Sequence, residues 1–261
     1  MEVLFFRHRE FPENHLEIIA GPENSPLRFE QLGRLRLAEG RCFAGKLKEE
    51  EAVVVLLRGK VRLFSDHTLL GETGVRESVF RDPAWSFYLA PEEAYRIEAL
   101  RESVLLFVTA QAQKGGPSVM IPPEKTTERV VGKGTFERVV RTIVGEDFPA
   151  EKLLLGETFN QEGRWSSYPP HRHERHHPPE EYFLEEVYHY QLEPEGGFGV
   201  QVFYTEDRTF EEAYLVRHGD TFVIPRGYHP VVAAPGYRLY YFWALAGEVR
   251  LLRFCEDPHY R

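Results

Sequence analysis

Apolar residues along the chain fall into short blocks bounded by charge, glycine or proline. Hardly any block sustains the 3.6-residue period of an amphipathic helix, so strands are the expected element. Glu51–Leu63 (EAVVVLLRGKVRL) reads as a β-branched run, a turn at Gly59 and a second strand. Ser103–Ala110 is another buried strand, and Leu27–Ala44 holds one or two more. The second half has the same texture. Strands are expected over 136–144, 152–159, 187–192, 199–204, 213–216 and 221–224, and in the aromatic run Tyr237–Ala246 (YRLYYFWALA). Pro149 to Lys152 could begin one helical turn.

The stretch 111–125 breaks this pattern with Gly115-Gly116-Pro117 and Pro122-Pro123. It divides the chain into modules at 1–115 and 116–261, and its apolar middle, Val119-Met120-Ile121, is expected to pack against a module. Two all-β modules of this size imply antiparallel barrels or jelly rolls. The halves share a layout without a repeat visible by identity, and the first half has nothing like the His-x-His element described next.

Histidines converge in Trp165–Glu186 (WSSYPPHRHERHHPPEEYFLEE). His171 and His173 are two apart, and on a strand such residues share a face. Glu180, Glu181, Glu185 and Glu186 follow, and His229 lies in PRGYHP. Two paired histidines, a glutamate and a distant histidine form a candidate divalent-metal site. Glu186 is the preferred carboxylate because it opens the strand Glu186-Val-Tyr188-His-Tyr190, with Glu185 the alternative facing the other way. His189 is expected to pack on that opposite face, and His176 and His177 to sit in a solvated loop. Three imidazoles and one carboxylate leave a metal position open, as catalysis requires. The set suits one divalent ion per chain, zinc first, with manganese, iron, nickel or cobalt compatible. Such an ion can act as a Lewis acid on a sugar carbonyl and its neighbouring hydroxyl, favouring an enediolate.

Charge narrows the partners. The chain has 261 residues with 41 acidic against 32 basic side chains, a net charge of -9 that argues against nucleic acid. No apolar segment is long enough for a membrane span, and the N-terminus lacks a signal-peptide core. The two cysteines, Cys42 and Cys255, have no metal or redox spacing and are expected as reduced, buried thiols. A soluble cytoplasmic protein is the expectation, and a homo-oligomer follows from the edges such modules expose.

The order His-x-His, glutamate, then Gly219-x5-Pro225-x-Gly227 before His229 resembles cupins, although one residue rather than two separates the last glycine and histidine. WSSYPPHRH, LEEVYHY, YTEDR, DTFVIPRGYHPV and YRLYYFWALAG together resemble the 5-deoxy-glucuronate isomerase family of myo-inositol catabolism, relatives of the uronate isomerases of pectin breakdown. The likeness is close over 125–261 and looser before it. It implies a bicupin. It also implies aldose–ketose isomerisation of 5-deoxy-D-glucuronate to 5-dehydro-2-deoxy-D-gluconate through a cis-enediolate. His171, His173 and His229 match the family's metal histidines, and Glu186 fits the ligand strand of the related enzymes. The loop between His173 and Glu186 is longer than in the pectin-pathway relatives, which keeps the choice of glutamate open. For proton transfer the candidates are Tyr188, Tyr190 and Tyr241, with Tyr240 behind them. For the uronate-like substrate's carboxylate they are Arg226 and Arg172, with Arg164 weaker. A metal-dependent cupin dioxygenase and a non-enzymatic sugar-binding cupin are the competing functions.

Overall fold

The computed structural model describes residues 4–260 as antiparallel strands joined by loops and three short 3-10 turns, with no α-helix among them. The all-β expectation therefore holds, and the helical turn expected at Pro149–Lys152 does not form.

Two sheet systems lie along the chain. The first runs in the order His15–Ala20, Glu30–Leu37, Ala94–Gln111, Glu50–Ser65, Ser86–Leu89 and Val119–Ile121. Gly59 does not turn the chain there. Glu50–Ser65 is one strand that shifts register around Gly59, a bulge against Ala94–Gln111. A Cβ on Gly59 would lie 2.4 Å from the Glu102 carbonyl oxygen, and its φ of +107° suits glycine, so the residue makes a close strand approach.

The second sheet runs Phe5–Phe6, Thr221–Ile224, Glu185–Glu193, Arg238–Ala246, Leu154–Asn160, Arg138–Val144 and Thr127–Val131. Facing it are Trp165–Ser166, Val231–Ala233, Gly199–Tyr204 and Glu211–Val216. The division at residue 115 is crossed in both directions. Phe5–Phe6 pairs with Thr221–Ile224 in the second sheet, and Val119–Ile121 pairs with Ser86–Leu89 in the first. Each module thus lends the other a strand that covers an edge.

The central strands are buried on both faces, which explains why YRLYYFWALA carries no polar alternation. Leu239, Tyr241, Trp243 and Leu245 point into the second module, and Tyr240, Phe242, Ala244 and Ala246 into the interface between modules. In the first module Val53, Val55 and Leu57 face that interface, whereas Ala52, Val54 and Leu56 fill an apolar interior with Leu35, Ile97 and Phe107. Among the described residues no group of metal-ligating side chains lies in that interior.

Two carboxylates clasp the modules in matching positions. Glu51 accepts from the backbone N–H groups of Glu151, Lys152 and Leu153. Glu185 accepts from those of Arg28, Phe29 and Glu30. In each case one module's central strand caps the entry to a strand of the other. This pseudo-symmetry is invisible to sequence identity. Arg76 and Glu157, both fully buried, add an ion pair of 2.8 Å across the interface. The cysteines are unpaired, and Cys42 is exposed and Cys255 half-buried rather than buried as expected, because Cys42 lies on a peripheral strand.

Candidate metal centre

Local chain geometry aims each histidine. Pro169-Pro170 lead into the two-residue strand His171–Arg172, which pairs with Cys255–Glu256. Alternation then sends His171 and His173 inward and Arg172 to the other side. There Arg172 is buried among Glu174 at 2.7 Å, Glu206 at 3.4 Å and Glu181 at 3.7 Å. His229 follows a turn at Gly227, whose φ is +80° and where a Cβ would meet the Tyr204 carbonyl oxygen at 2.7 Å. Glu186, the second residue of the central strand Glu185–Glu193, points to the cavity, whereas Glu185, which opens that strand, is spent on the interface clasp.

The imidazole hydrogen bonds define the ligand atoms. His173 Nδ1 donates to the Leu184 carbonyl at 2.6 Å, His229 Nδ1 to the Gly227 carbonyl at 3.0 Å and His171 Nδ1 to the Pro169 carbonyl at 3.3 Å. A carbonyl can only accept, so each Nδ1 carries a hydrogen and each Nε2 is the atom left to face a metal. The three ligand nitrogens lie within 4.8 Å of one another, the one such convergence of histidine, cysteine and acidic donors among the described residues. Glu186 Oε2 stands 3.2 Å from His173 Nε2 and 3.3 Å from His229 Nε2. His229 Nε2 is buried without a hydrogen-bond partner among the described residues, because its approach to Glu186 is close but misaligned. An orphaned lone pair beside a buried carboxylate is costly without a cation, so the residues present fit a divalent metal.

Electrostatics agree with that fit. Burial lowers His171 to about 3, with the charge of His173 adding to it. Burial, then His171 and His173, also holds His229 well below its ordinary value. Both are therefore neutral. Burial disfavours a charged His173, yet the hydrogen bond and charge of Glu186 outweigh it and raise its value. Burial also raises Glu186, against the pull of His173. A metal would take the place of the proton this pair shares.

His171, His173 and Glu186 open on a cavity of about 470 Å³ also lined by Arg129, Arg138, Ser167, Tyr188, Tyr241 and Trp243, with His229 buried behind them. Tyr188 and Tyr241 thus reach it. Tyr241 Oη is 2.5 Å from Ser166 Oγ and Tyr188 Oη 2.9 Å from Ser167 Oγ, so the WSS of the histidine motif backs both phenols. Sequence reasoning passed over these serines although they stood in the quoted motif. Burial, then the charge of Glu186, keeps Tyr188 well above the usual phenol value. Tyr190 does not line the cavity. It donates to Gln201 Oε1 at 2.7 Å, and Gln201 Nε2 donates to the His229 carbonyl at 2.8 Å, which makes Tyr190 a support for the metal turn. Tyr240 lies on the opposite face, bonded to Glu157.

The arginines proposed from sequence stand elsewhere: Arg172 in its ion cluster, Arg226 exposed outside the cavity lining, and Arg164 paired with Glu137 at 2.6 Å. His176 and His177 are exposed in the loop, and His189 packs on the far face, 2.9 Å from Thr221 Oγ1, as expected. Glu181 is buried as a loop cap for the N–H groups of Glu174 and Arg175, and Glu180 is exposed.

The sequence profile of the KduI/IolB family matches residues 4–261. A 5-deoxy-glucuronate isomerase of Geobacillus thermodenitrificans strain NG80-2 is 38% identical over 238 residues, 91% of this chain and 87% of that protein. A crystal structure of an IolB-like protein from Salmonella typhimurium LT2 superposes with a TM-score of 0.94 at 29% identity, over 99% of this chain and 98% of that one. An oxalate decarboxylase from Lactobacillus farciminis reaches a TM-score of 0.71 at 10% identity, over 98% and 89% of the two chains. This last likeness concerns the fold alone and agrees with the bicupin expected from the sequence.

Proposed function

The chain belongs to the KduI/IolB family, and on that premise we propose that it is a metal-dependent 5-deoxy-glucuronate isomerase of inositol catabolism, converting 5-deoxy-D-glucuronate to 5-dehydro-2-deoxy-D-gluconate. The observation that carries the reading is the convergence of three imidazole Nε2 atoms and the Glu186 carboxylate, beside the cavity that His171, His173 and Glu186 line. His171, His173, His229 and Glu186 would hold the ion, zinc being the first to test and manganese, iron, nickel and cobalt the others compatible with this donor set. Bound there, the ion would supply Lewis-acid polarisation of the substrate carbonyl.

The chain's own residues do the rest. The reaction moves a proton from C2 to C1 and the carbonyl from C1 to C2, so it needs groups that give and take protons within the cavity. Tyr188 is kept protonated by burial and suits donation to a substrate oxygen rather than removal of a carbon proton. Tyr241, coupled to Ser166, is the proposed proton carrier. Tyr190 acts as a positioning residue through Gln201 and His229. The aromatic and aliphatic wall of Trp243, Leu245, Leu252 and Phe254 keeps water from the reacting carbons.

A cytoplasmic homo-oligomer is part of the same proposal. Unlinked cysteines suit a reducing compartment, and Val130, exposed on the sheet edge Thr127–Val131, suits a subunit contact. No helix among the described residues is long and apolar enough to cross a membrane.

The test is to incubate the purified protein with 5-deoxy-D-glucuronate, with and without a chelator, and follow the ketose by NMR. Turnover that stops with chelation and returns with metal is expected. A metal-loaded protein that leaves the substrate unchanged overturns the reading, and oxygen consumption would favour the dioxygenase.

A further inference from the structure

We propose that Arg138 is the specificity-determining residue that receives the substrate's carboxylate, with Arg129 beside it at the cavity mouth. This assignment rests on the isomerase reading and deepens it.

Strand register builds the arrangement. Arg138 pairs with Val131, and Arg129 with Val140. Directly paired residues share a face, and so do residues two apart along a strand. Arg129, Val131, Arg138 and Val140 therefore lie on one face. The same row continues from Val140 to Thr158, then Tyr241. The face is thus the one that carries the candidate proton carrier, with the arginines at the end of the sheet away from Glu186. Both arginines line the cavity that holds His171, His173 and Glu186.

Arg138 is held for binding an anion and has no acidic partner among the described residues. Its Nη1 donates to the Phe136 and Tyr168 carbonyls, each at 3.1 Å. Its Nε is buried with no hydrogen-bond partner among the described residues. Neighbouring arginines differ: Arg141 reaches Glu128 and Glu157, Arg164 reaches Glu137, and Arg172 reaches three glutamates. Among the described residues this half-buried guanidinium bonds only neutral carbonyls, and a carboxylate arriving at Nε and Nη2 would balance its charge. With Glu186 assigned to the metal, the lining holds two arginines against one remaining carboxylate, Glu256. The Tyr168 carbonyl that anchors Arg138 belongs to the segment running into His171, so the anion subsite and the metal end are tied to one piece of chain.

The substrate's chemistry fits this order. In the open-chain sugar acid the carbonyl end and the carboxylate lie at opposite ends, and the carbon next to the carboxylate carries no hydroxyl. Val140, two positions from Arg138 on the same face, offers an apolar surface to that methylene.

Arg138→Gln and Arg138→Lys test the assignment, each assayed on 5-deoxy-D-glucuronate and on its neutral methyl ester, with metal content measured alongside. For Arg138→Gln, KM for the acid is expected to rise roughly 10- to 100-fold, the worth of a charge-assisted hydrogen bond, with kcat within a few-fold. KM for the ester and metal content should match wild type. Arg138→Lys keeps the charge but not the fork, so its KM for the acid should fall between the two, and it carries the test if the glutamine variant does not fold. Unchanged KM for the acid in both variants, or equal losses on acid and ester, overturns the assignment and leaves the isomerase reading standing. Absence of wild-type turnover on the acid overturns the reading and this assignment with it.

Discussion

Glu185 and Glu186 are adjacent and buried, yet they face opposite sides of one strand, and exchanging their fates tests the whole construction. Glu185→Ala removes an acceptor shared by three backbone N–H groups, those of Arg28 at 2.8 Å, Phe29 at 2.6 Å and Glu30 at 2.9 Å. An orphaned donor costs about 1–3 kcal/mol, so the three together span about 3–9 kcal/mol. The lower end is expected for two reasons. Burial raises the Glu185 carboxyl against the pull of those N–H groups, so the ionised form is itself costly. The first two donors are also only partly buried and can regain water. A loss of about 3 kcal/mol is a large share of the roughly 5–15 kcal/mol that holds a domain together. For a chain of this size it corresponds to a fall in Tm of roughly 6–12 °C. Metal stoichiometry in the folded protein should not change. Glu186→Gln should do the reverse: Tm within a few degrees of wild type, and metal affinity reduced by more than about 100-fold, beyond the usual effect of an outer-shell change. Differential scanning calorimetry and metal titration of both variants decide the matter. Metal loss in Glu185→Ala with retention in Glu186→Gln would refute the site as drawn.

Two further outcomes follow from the same structure. Glu30 is buried with both carboxyl oxygens lacking hydrogen-bond partners among the described residues, and burial, then Glu185 and Glu186, holds it well above its ordinary value. The folded state therefore keeps a proton that the unfolded state releases, so stability is fullest below the ordinary glutamate value and declines as pH rises toward the folded one; Glu30→Gln should flatten that decline and raise Tm at alkaline pH, and an unchanged pH–Tm curve would count against it. Gly227→Ala places a Cβ 2.7 Å from the Tyr204 carbonyl oxygen at a φ of +80°, a strain of about 1–2 kcal/mol, and should weaken metal binding by displacing His229; unchanged metal affinity would mean that the turn does not aim the histidine.

Much of the candidate centre was legible because it is local. His171 and His173 share a face through strand alternation, and Gly227 turns the chain before His229, so a short stretch of sequence carries each instruction. Strand content was legible for the same reason, since turn residues and apolar runs are neighbours in sequence. What failed was non-local. Gly59 looked like a turn, but pairing with Ala94–Gln111 keeps the chain extended through it. Arg172 and Arg226 were attractive because they flank the histidine motifs, while Arg138 sits on a distant strand and enters the cavity only through the register from Glu185–Glu193 across to Arg138–Val144.

By itself, then, the sequence determined an all-β chain, its likeness to one isomerase family, and three histidines with the spacing of metal ligands. Only the tertiary structure decided which glutamate meets them, which tyrosines reach the cavity, and that the modules exchange edge strands and clasp one another through Glu51 and Glu185. The reason is that the central strands are apolar or aromatic on both faces. Hydrophobic alternation, the signal that tells inside from outside in a strand, is absent there, and only packing against a second module assigns each face its role.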